Sequence, residues 1–374
     1  MPDRWQPIQL QVHISYPKSL GLGLMNRPAD ELEGKTLPGN WLVVQKVVPR
    51  PNATGGNFST GYLVEHKESG RRGFLKAMDY SAAFQAQNTI DIMKNMADTY
   101  TFERDICLKC KDSKIKRVVH AIDHGTYQGD PTNPFVQFLK VEYLIFERAD
   151  GDIRSHLDQQ TTFDLAFALR TLHSIAAALE QLHRAGIAHQ DVKPSNVLVF
   201  ASEGLSKLGD LGRAWMRGMH APHDSAQFAG DSGYAPPDLL FGSSADEDTK
   251  RFGYDMYLLG SLVVFFFTRV HINALLIKHS SKTFQPTTFT PTYLEVLPYI
   301  QAAFAEAIEE FGAHVPVFLR DRLTVMVSQL CDPDPLRRGH PNNLGGNRFC
   351  LERYISILNL LAYEAEIRLR LGAA

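Results

Sequence analysis

The sequence predicts an α+β fold in two unequal lobes: a five-stranded antiparallel sheet with one main helix, then a larger and mainly helical lobe. Three observations predict it. Short β-branched and aromatic runs bounded by turn residues fill most of residues 40 to 146. The stretch Glu147-Arg148-Ala149-Asp150-Gly151-Asp152 breaks that pattern. Beyond it apolar residues recur at helical spacing, most clearly in Phe163–Arg184 and Phe252–Thr268. At 374 residues the chain has room for two domains, or for one bilobal unit with extensions.

Composition narrows the function classes. Hydrophobic residues make up 44% and charged residues 21%, as in soluble globular proteins. Lys plus Arg (39) nearly balances Asp plus Glu (41), so no field selects nucleic acid or an anionic membrane, and neither is expected as a partner. The opening Met-Pro-Asp-Arg-Trp-Gln lacks the basic and apolar regions of a secretory signal. The most apolar run, Met256–Thr268, stops at Arg269, short of the about 20 residues a span needs, and reads as a buried core helix. Cys107, Cys110, Cys331 and Cys350 make no disulfide framework. Cys107 and Cys110 have the spacing of a metal half-site, but no second half follows. They share one helix face and read as core residues. The expected home is a reducing cytoplasm.

Residues 1–39 mix proline, glycine and charge without clear period and read as an extension that lies over the first lobe or is partly disordered, with no chemistry assigned. Strands follow at Trp41–Val48, Tyr62–His66 and Gly73–Met78, the last two joined by the turn Glu68-Ser69-Gly70. The glycine-rich run 53–61 separates the first two. Its Gly55 and Gly56 would let backbone N–H groups approach a polyphosphate with no Cβ in the way. Lys76, inside the apolar run Phe74–Met78, needs a counter-charge, and phosphate is a good one. The segment Ser81–Lys111 reads as a helix with two acids able to pair with Lys76. Glu103 and Asp105 point about 200° apart, so only one can face inward. Glu103 lies beside the stripe Ile106, Cys107 and Cys110, which favours it, with Asp105 as the alternative. Val118–His124 and Val136–Phe146 complete the sheet, and 147–152 forms the boundary and hinge between lobes.

In the second lobe the run Ala188–Leu198 joins a helix to the short strand Val197–Phe200. It carries a carboxylate (Asp191), an ammonium (Lys193) and a carboxamide (Asn196). So spaced on a turn, these groups can face one point as base, phosphate clamp and metal ligand. A hairpin of 197–200 and 206–208 ends in Gly209-Asp210-Leu211-Gly212, where the carboxylate can project into a cleft and hold a cation. A polar stretch, 213–233, is closed by Tyr234-Ala235-Pro236-Pro237-Asp238. A buried helix carrying Asp255 follows, then helices to the end with an insertion near 278–312.

Taken in order, these motifs over residues 40 to 340 resemble the eukaryotic-type serine/threonine protein kinases, with His189-Gln190-Asp191-Val192-Lys193-Pro194-Ser195-Asn196 the most specific match. The resemblance implies lobes at 40–148 and 149–374 and transfer of the γ-phosphoryl group of ATP to a hydroxyl of a protein substrate, with Mg²⁺. It implies that Lys76 holds the phosphates and pairs with Glu103, and that Asp191 accepts or orients the acceptor hydroxyl proton. Lys193 would offset charge on the transferring group, while Asn196 and Asp210 would bind Mg²⁺. Phe146 would be the gatekeeper, Glu147 and Ala149 would offer backbone groups to adenine, and Leu198 would pack beneath it. His189 would sit under the Asp210 turn, Asp255 would anchor the loop backbone, and Asp238 would pair with Arg338. Without an anchor or sensor segment, the chain resembles the stand-alone soluble kinases, bacterial ones included.

Departures from the family pattern are specific. Gln190 stands where many members have the arginine that reads a phosphorylated activation loop, and Gln227 falls near the usual phosphosite. Activity without loop phosphorylation is the expectation. Asp231 replaces a threonine and could pair with Lys193 in the resting state. Gly61 and Phe74 occupy the two positions that form the roof over adenine, usually valine and alanine. A volume-conserving exchange is expected, with the Phe74 ring filling the space above the base. Two other readings stand beside the protein kinase one. A small-molecule phosphotransferase usually lacks a lysine two residues after the aspartate. A nucleotide-binding scaffold would be favoured by Phe74 and by Thr54 and Ser59 at glycine positions, but opposed by the complete set Lys76, Asp191, Asn196 and Asp210.

Overall fold

Strand alternation builds the first lobe. The computed structural model describes residues 27–48, 59–80, 83, 88–129, 140–226, 228–243, 245–281 and 292–372. Its strands β1 (Thr36–Leu37), β2 (Trp41–Lys46), β3 (Ser59–His66), β4 (Arg72–Met78), β5 (Ala121–Tyr127) and β6 (Val141–Glu147) form one sheet in the order β1-β2-β3-β4-β6-β5. The sheet therefore has six strands, not the expected five. The additional strand is two residues long, too short for periodicity to reveal. It is made by a reversal in which Gly39 and Asn40 both take positive φ (81° and 63°), so that Leu37 pairs with Trp41. The described part of the presumed extension belongs to this lobe. Ala29, Leu32 and Leu37 are buried, the Tyr62 hydroxyl donates to Ala29 O (2.7 Å), and Asp30 meets Lys46 (2.9 Å).

Along β4, Gly73, Leu75 and Ala77 point into a core with Val43, Tyr62, Val64 and Tyr143. Phe74 and Lys76 therefore share the opposite face. Helix α1 (Thr89–Asp112) buries Tyr100, Glu103, Ile106, Cys107 and Cys110. Both thiols sit in apolar packing, and burial pushes that of Cys110 up to about 12 and that of Cys107 up as well.

The chain leaves the sheet at Glu147 and joins the second lobe at once. Strand β7 (Gly151–Asp152) pairs with β9 (Val197–Phe200), which pairs with β10 (Leu205–Leu208); β8 (Ile187–Ala188) pairs with β11 (Trp215–Met216). The helices are α2 (Ile153–Gln159), α3 (Leu165–Arg184), α4 (Pro237–Leu240), α5 (Glu247–Thr268), α6 (Ile272–His279), α7 (Tyr293–His314), α8 (Val317–Leu330) and α9 (Glu352–Arg370). Asp246 caps α5 by accepting the Thr249 N–H at 2.9 Å, and every residue from Phe252 to Phe266 is buried. The apolar run is thus the core helix, and among the described residues no single helix is long and apolar enough to cross a membrane. Its Gly260 admits α8, since a Cβ there would overlap Cys331 Sγ and Leu330. In the region of the expected insertion, α6 and α7 are tied together by Lys278 and His279, each 2.7 Å from Glu310.

Candidate active site

Three pieces of chain converge between the lobes. From the sheet, Lys76 Nζ lies 2.8 and 2.9 Å from the two carboxylate oxygens of Glu103 and 3.2 Å from Asp210 Oδ1. Glu103 is buried, whereas Asp105 is part-exposed and bonded to its neighbour Arg104 (2.9 Å). The geometry thus settles the choice of partner in favour of Glu103, because that side chain continues the buried stripe of α1. Burial opposes the Lys76 charge, but Asp210 and Glu103 outweigh it and hold the ammonium above its usual range. Burial also raises Glu103, with Lys76 partly offsetting it. Lys76 pulls Asp210 down to about 2, so that carboxylate stays ionised at every physiological pH.

Asp210 follows β10 with φ 59°, a left-handed conformation uncommon outside glycine. The strain aims its side chain into the cleft, where 42% of it is exposed. The turn is held from below by His189, whose Nε2 donates to Gly209 O (2.9 Å) while Nδ1 accepts the Asp191 N–H (3.2 Å). Asp255, fully buried in α5, accepts the N–H groups of His189 and Gln190, both at 2.7 Å. Two backbone N–H groups on one carboxylate fix the loop that carries Asp191.

Asp191 Oδ2 lies 3.0 Å from Lys193 Nζ and accepts from Asn196 Nδ2 at 2.9 Å. Its other oxygen accepts the Asp231 N–H at 3.2 Å. Asp231 also reaches Lys193, at 3.9 Å, so this pairing exists but is looser than that with Asp191. Burial raises the Asp191 carboxyl, and Lys193 opposes the rise. A base with a raised pKa is protonated to a higher pH, so activity falls as pH drops through that value. Lys193→Met removes the opposing charge. The acid limb of the kcat/KM profile of the variant's residual activity is expected to move to higher pH, and an unmoved limb would contradict this assignment.

Asn196 commits its amide nitrogen to Asp191, both to the carboxylate and to the backbone oxygen (2.8 Å), leaving the carboxamide oxygen as its donor atom. With the ionised Asp210 this makes an all-oxygen pair, which suits a hard divalent cation such as Mg²⁺.

At the back of the cleft Phe74 lies opposite Phe146 in the β4–β6 register. Its ring also covers Gly61: a Cβ at Gly61 would stand 2.9 Å from Phe74 Cζ. The missing side chain at 61 is the space the ring occupies. Gly61→Val is expected to cost about 1–3 kcal/mol in stability or nucleotide binding, and adding Phe74→Ala should recover most of it. Thermal melts and titration with an unreactive ATP analogue check this, and additive losses in the double variant would defeat it. Leu198, like Phe74, packs against the main core; its Cδ1 would stand 3.2 Å from a Cβ at Gly209, which places it beside the Asp210 turn. Gly55, Gly56 and Gln227 lie outside the described residues.

Some contacts escaped sequence reasoning. The Glu147 side chain bonds Lys207 Nζ (2.7 Å) and the His120 N–H (2.7 Å), tying the hinge to β10; Ala149 follows it in the connection to β7. Gln190, at φ 61°, donates to Arg213 O (3.0 Å) and accepts from Arg251 Nη1 (2.9 Å). Arg251 is buried and also meets Glu247 (2.6 Å) and Asp224 (3.3 Å). Its position one helical turn before Asp255 was the available signal, since it puts both on one face of α5. The expected pair of Asp238 and Arg338, by contrast, is present, 2.7 Å apart with 1% exposure each.

Residues 54–344 match the family model described as protein kinase domain. The chain is 35% identical over 122 residues to the Aurora/IPL1-related protein kinase 2 of Caenorhabditis briggsae, covering 32% of this chain and 37% of that protein. It is 30% identical over 157 residues to the serine/threonine-protein kinase greatwall of Xenopus tropicalis, covering 42% of this chain and 15% of that one. The human greatwall kinase matches at 34% over 121 residues, again 32% of this chain but 12% of the relative. The chain thus spans well under two thirds of these relatives. A crystal structure of a kinase domain superposes with a TM-score of 0.54 at 15% identity, covering 85% of this chain and 97% of that one, a likeness of fold.

Proposed function

This chain belongs to the protein kinase domain family, and from that membership we propose that it is a serine/threonine protein kinase using Mg²⁺ and ATP. The observation that carries the reading is the convergence of Lys76, Asp210, Asp191, Lys193 and Asn196 on one cleft. Lys76, braced by Glu103, is placed to hold phosphate oxygens. Asp191 is placed to accept the acceptor hydroxyl proton, and Lys193 beside it to offset charge on the transferring group. Asn196 and Asp210 would hold Mg²⁺, which supplies further charge neutralisation to the phosphates when bound. The complete set Lys76, Asp191, Asn196 and Asp210 supports an enzyme over a scaffold without activity, and Phe74 fills the space left at Gly61. Four unpaired thiols, three of them buried, support a reducing cytoplasmic setting.

Independence from loop phosphorylation is part of the proposal. Two observations support it: Arg251 brings a guanidinium to Gln190, and the same guanidinium meets Asp224, an anion of the polar stretch 213–233 that needs no phosphate. Phosphate transfer from Mg-ATP to generic protein acceptors tests both parts. Phosphatase-treated protein is expected to keep its rate, and Lys76→Met to lose nearly all of it. A rate that vanishes with dephosphorylation and returns on rephosphorylation would refute the independence, and equal transfer by Lys76→Met would refute the kinase.

A further inference from the structure

A cavity of about 330 Å³ opens beside the catalytic loop, and its chemistry bears on the substrate. Its walls are Arg154 and Asp158 of α2, Tyr234, Phe265 and Arg269 at the end of α5, and His271 ahead of α6. Tyr234 ties it to the reaction centre. The Tyr234 N–H donates to Asp231 O (3.0 Å), and the Asp231 N–H donates to Asp191 Oδ1 (3.2 Å). The cavity therefore begins within one turn of the position an acceptor hydroxyl must take.

The polar groups here are under-used. Arg154 donates from Nη2 to the Tyr234 hydroxyl at 3.3 Å, while its Nε is buried without a hydrogen-bond partner. The His271 ring packs 4.8 Å from that of Tyr234, and its Nδ1 is likewise buried and unpartnered. Arg269 rests its guanidinium 5.7 Å from the centre of the Phe163 ring. Among the described residues neither arginine forms an ion pair with a carboxylate. Asp158, the one acid in the wall, is exposed. Two orphaned nitrogens and two unneutralised guanidinium groups around one opening are a poor lining for an apolar or cationic side chain. They suit an anion that accepts from several donors at once.

We propose that this cavity is the subsite for an anionic side chain of the protein substrate close to the acceptor hydroxyl, and that it makes the enzyme selective for acidic sequences. The inference rests on the protein kinase reading and names the substrate class for that site. Arg154 and Arg269 offer planar forks that match carboxylate or phosphate oxygens, with the Tyr234 hydroxyl between lobe and ligand. A carboxylate and a phosphorylated residue share this chemistry, and the test separates them.

The experiment uses the full chain and fluorescent peptides in which alanine replaces the acceptor serine. Glutamate, phosphoserine, alanine or arginine is placed in turn at each flanking position, and binding is read by anisotropy. Peptides carrying an acidic residue at one of these positions are expected to bind about tenfold tighter than their alanine counterparts, the scale of one charged hydrogen bond. The glutamate and phosphoserine arms show which anion is preferred. Arg269→Glu, at an exposed position, should abolish the preference, and Arg154→Glu with Arg269→Glu should turn it toward arginine, with thermal melts showing that both variants fold. Affinity indifferent to peptide charge, or an acidic preference that survives both variants, would overturn the proposal. Matching serine peptides assayed with Mg-ATP keep the two readings apart. Acidic binding without any transfer sinks the kinase and leaves the subsite, while transfer blind to charge with flat anisotropy sinks the subsite alone.

Discussion

Asp191→Ala is expected to lower kcat about 10²- to 10⁴-fold, the range of a lost general base and positioning group, while nucleotide affinity holds. The nucleotide side of the cleft is organised by Lys76, Glu103 and Asp210, which do not depend on bonds to Asp191. The variant does leave the Lys193 ammonium, 7% exposed, without its partner at 3.0 Å, and the Asn196 amide with only the backbone oxygen of residue 191 as acceptor. Asp191→Asn keeps the shape and removes only the charge, so it separates chemistry from local collapse. Both variants should lose turnover, and titration with an ATP analogue should report affinity close to wild type in each. Turnover within about tenfold of wild type in both would remove Asp191 from the mechanism.

Arg338→Ala should cost the most stability, about 3–5 kcal/mol, because it strands the Asp238 carboxylate at 1% exposure with no countercharge. The guanidinium does more than pair. It donates to Asp332 O (3.2 Å) and lies 5.2 Å from the centre of the Tyr257 ring, so it joins the segment that follows α8 to α5. Asp238 lies in the first turn of α4, just beyond Tyr234-Ala235-Pro236-Pro237, and loosening it would also disturb the segment that carries Asp231. Denaturant unfolding should show the loss, and activity should fall with it. Replacing both partners, Asp238→Leu with Arg338→Met, is expected to be milder than Arg338→Ala alone, since no buried charge is then left unpaired. A single variant within about 1 kcal/mol of wild type would show that the pair is not the anchor.

Much of the site was legible in the chain because local spacing decides which groups share a face. Period-two alternation in β4 puts Phe74 and Lys76 on the same side. The stripe of α1 turns Glu103 inward, and the short turn 191–196 gathers Asp191, Lys193 and Asn196. The two-lobe α+β plan follows from the same periodicities, with its boundary where the strand pattern stops. Other features depend on which distant segments pack together, and spacing carries no record of that. Packing supplied Arg251 to Gln190 across 61 residues of sequence and tied the Glu147 side chain to Lys207 of β10. It also brought α2, Tyr234 and the end of α5 around one cavity. A short strand such as β1 leaves too few residues for a period, and a charge cluster drawn from three elements leaves no motif. The physical reason is the same in both cases. Periodicity reports the orientation of side chains on one element, whereas burial, strain and charge pairing between elements are settled only when their faces meet.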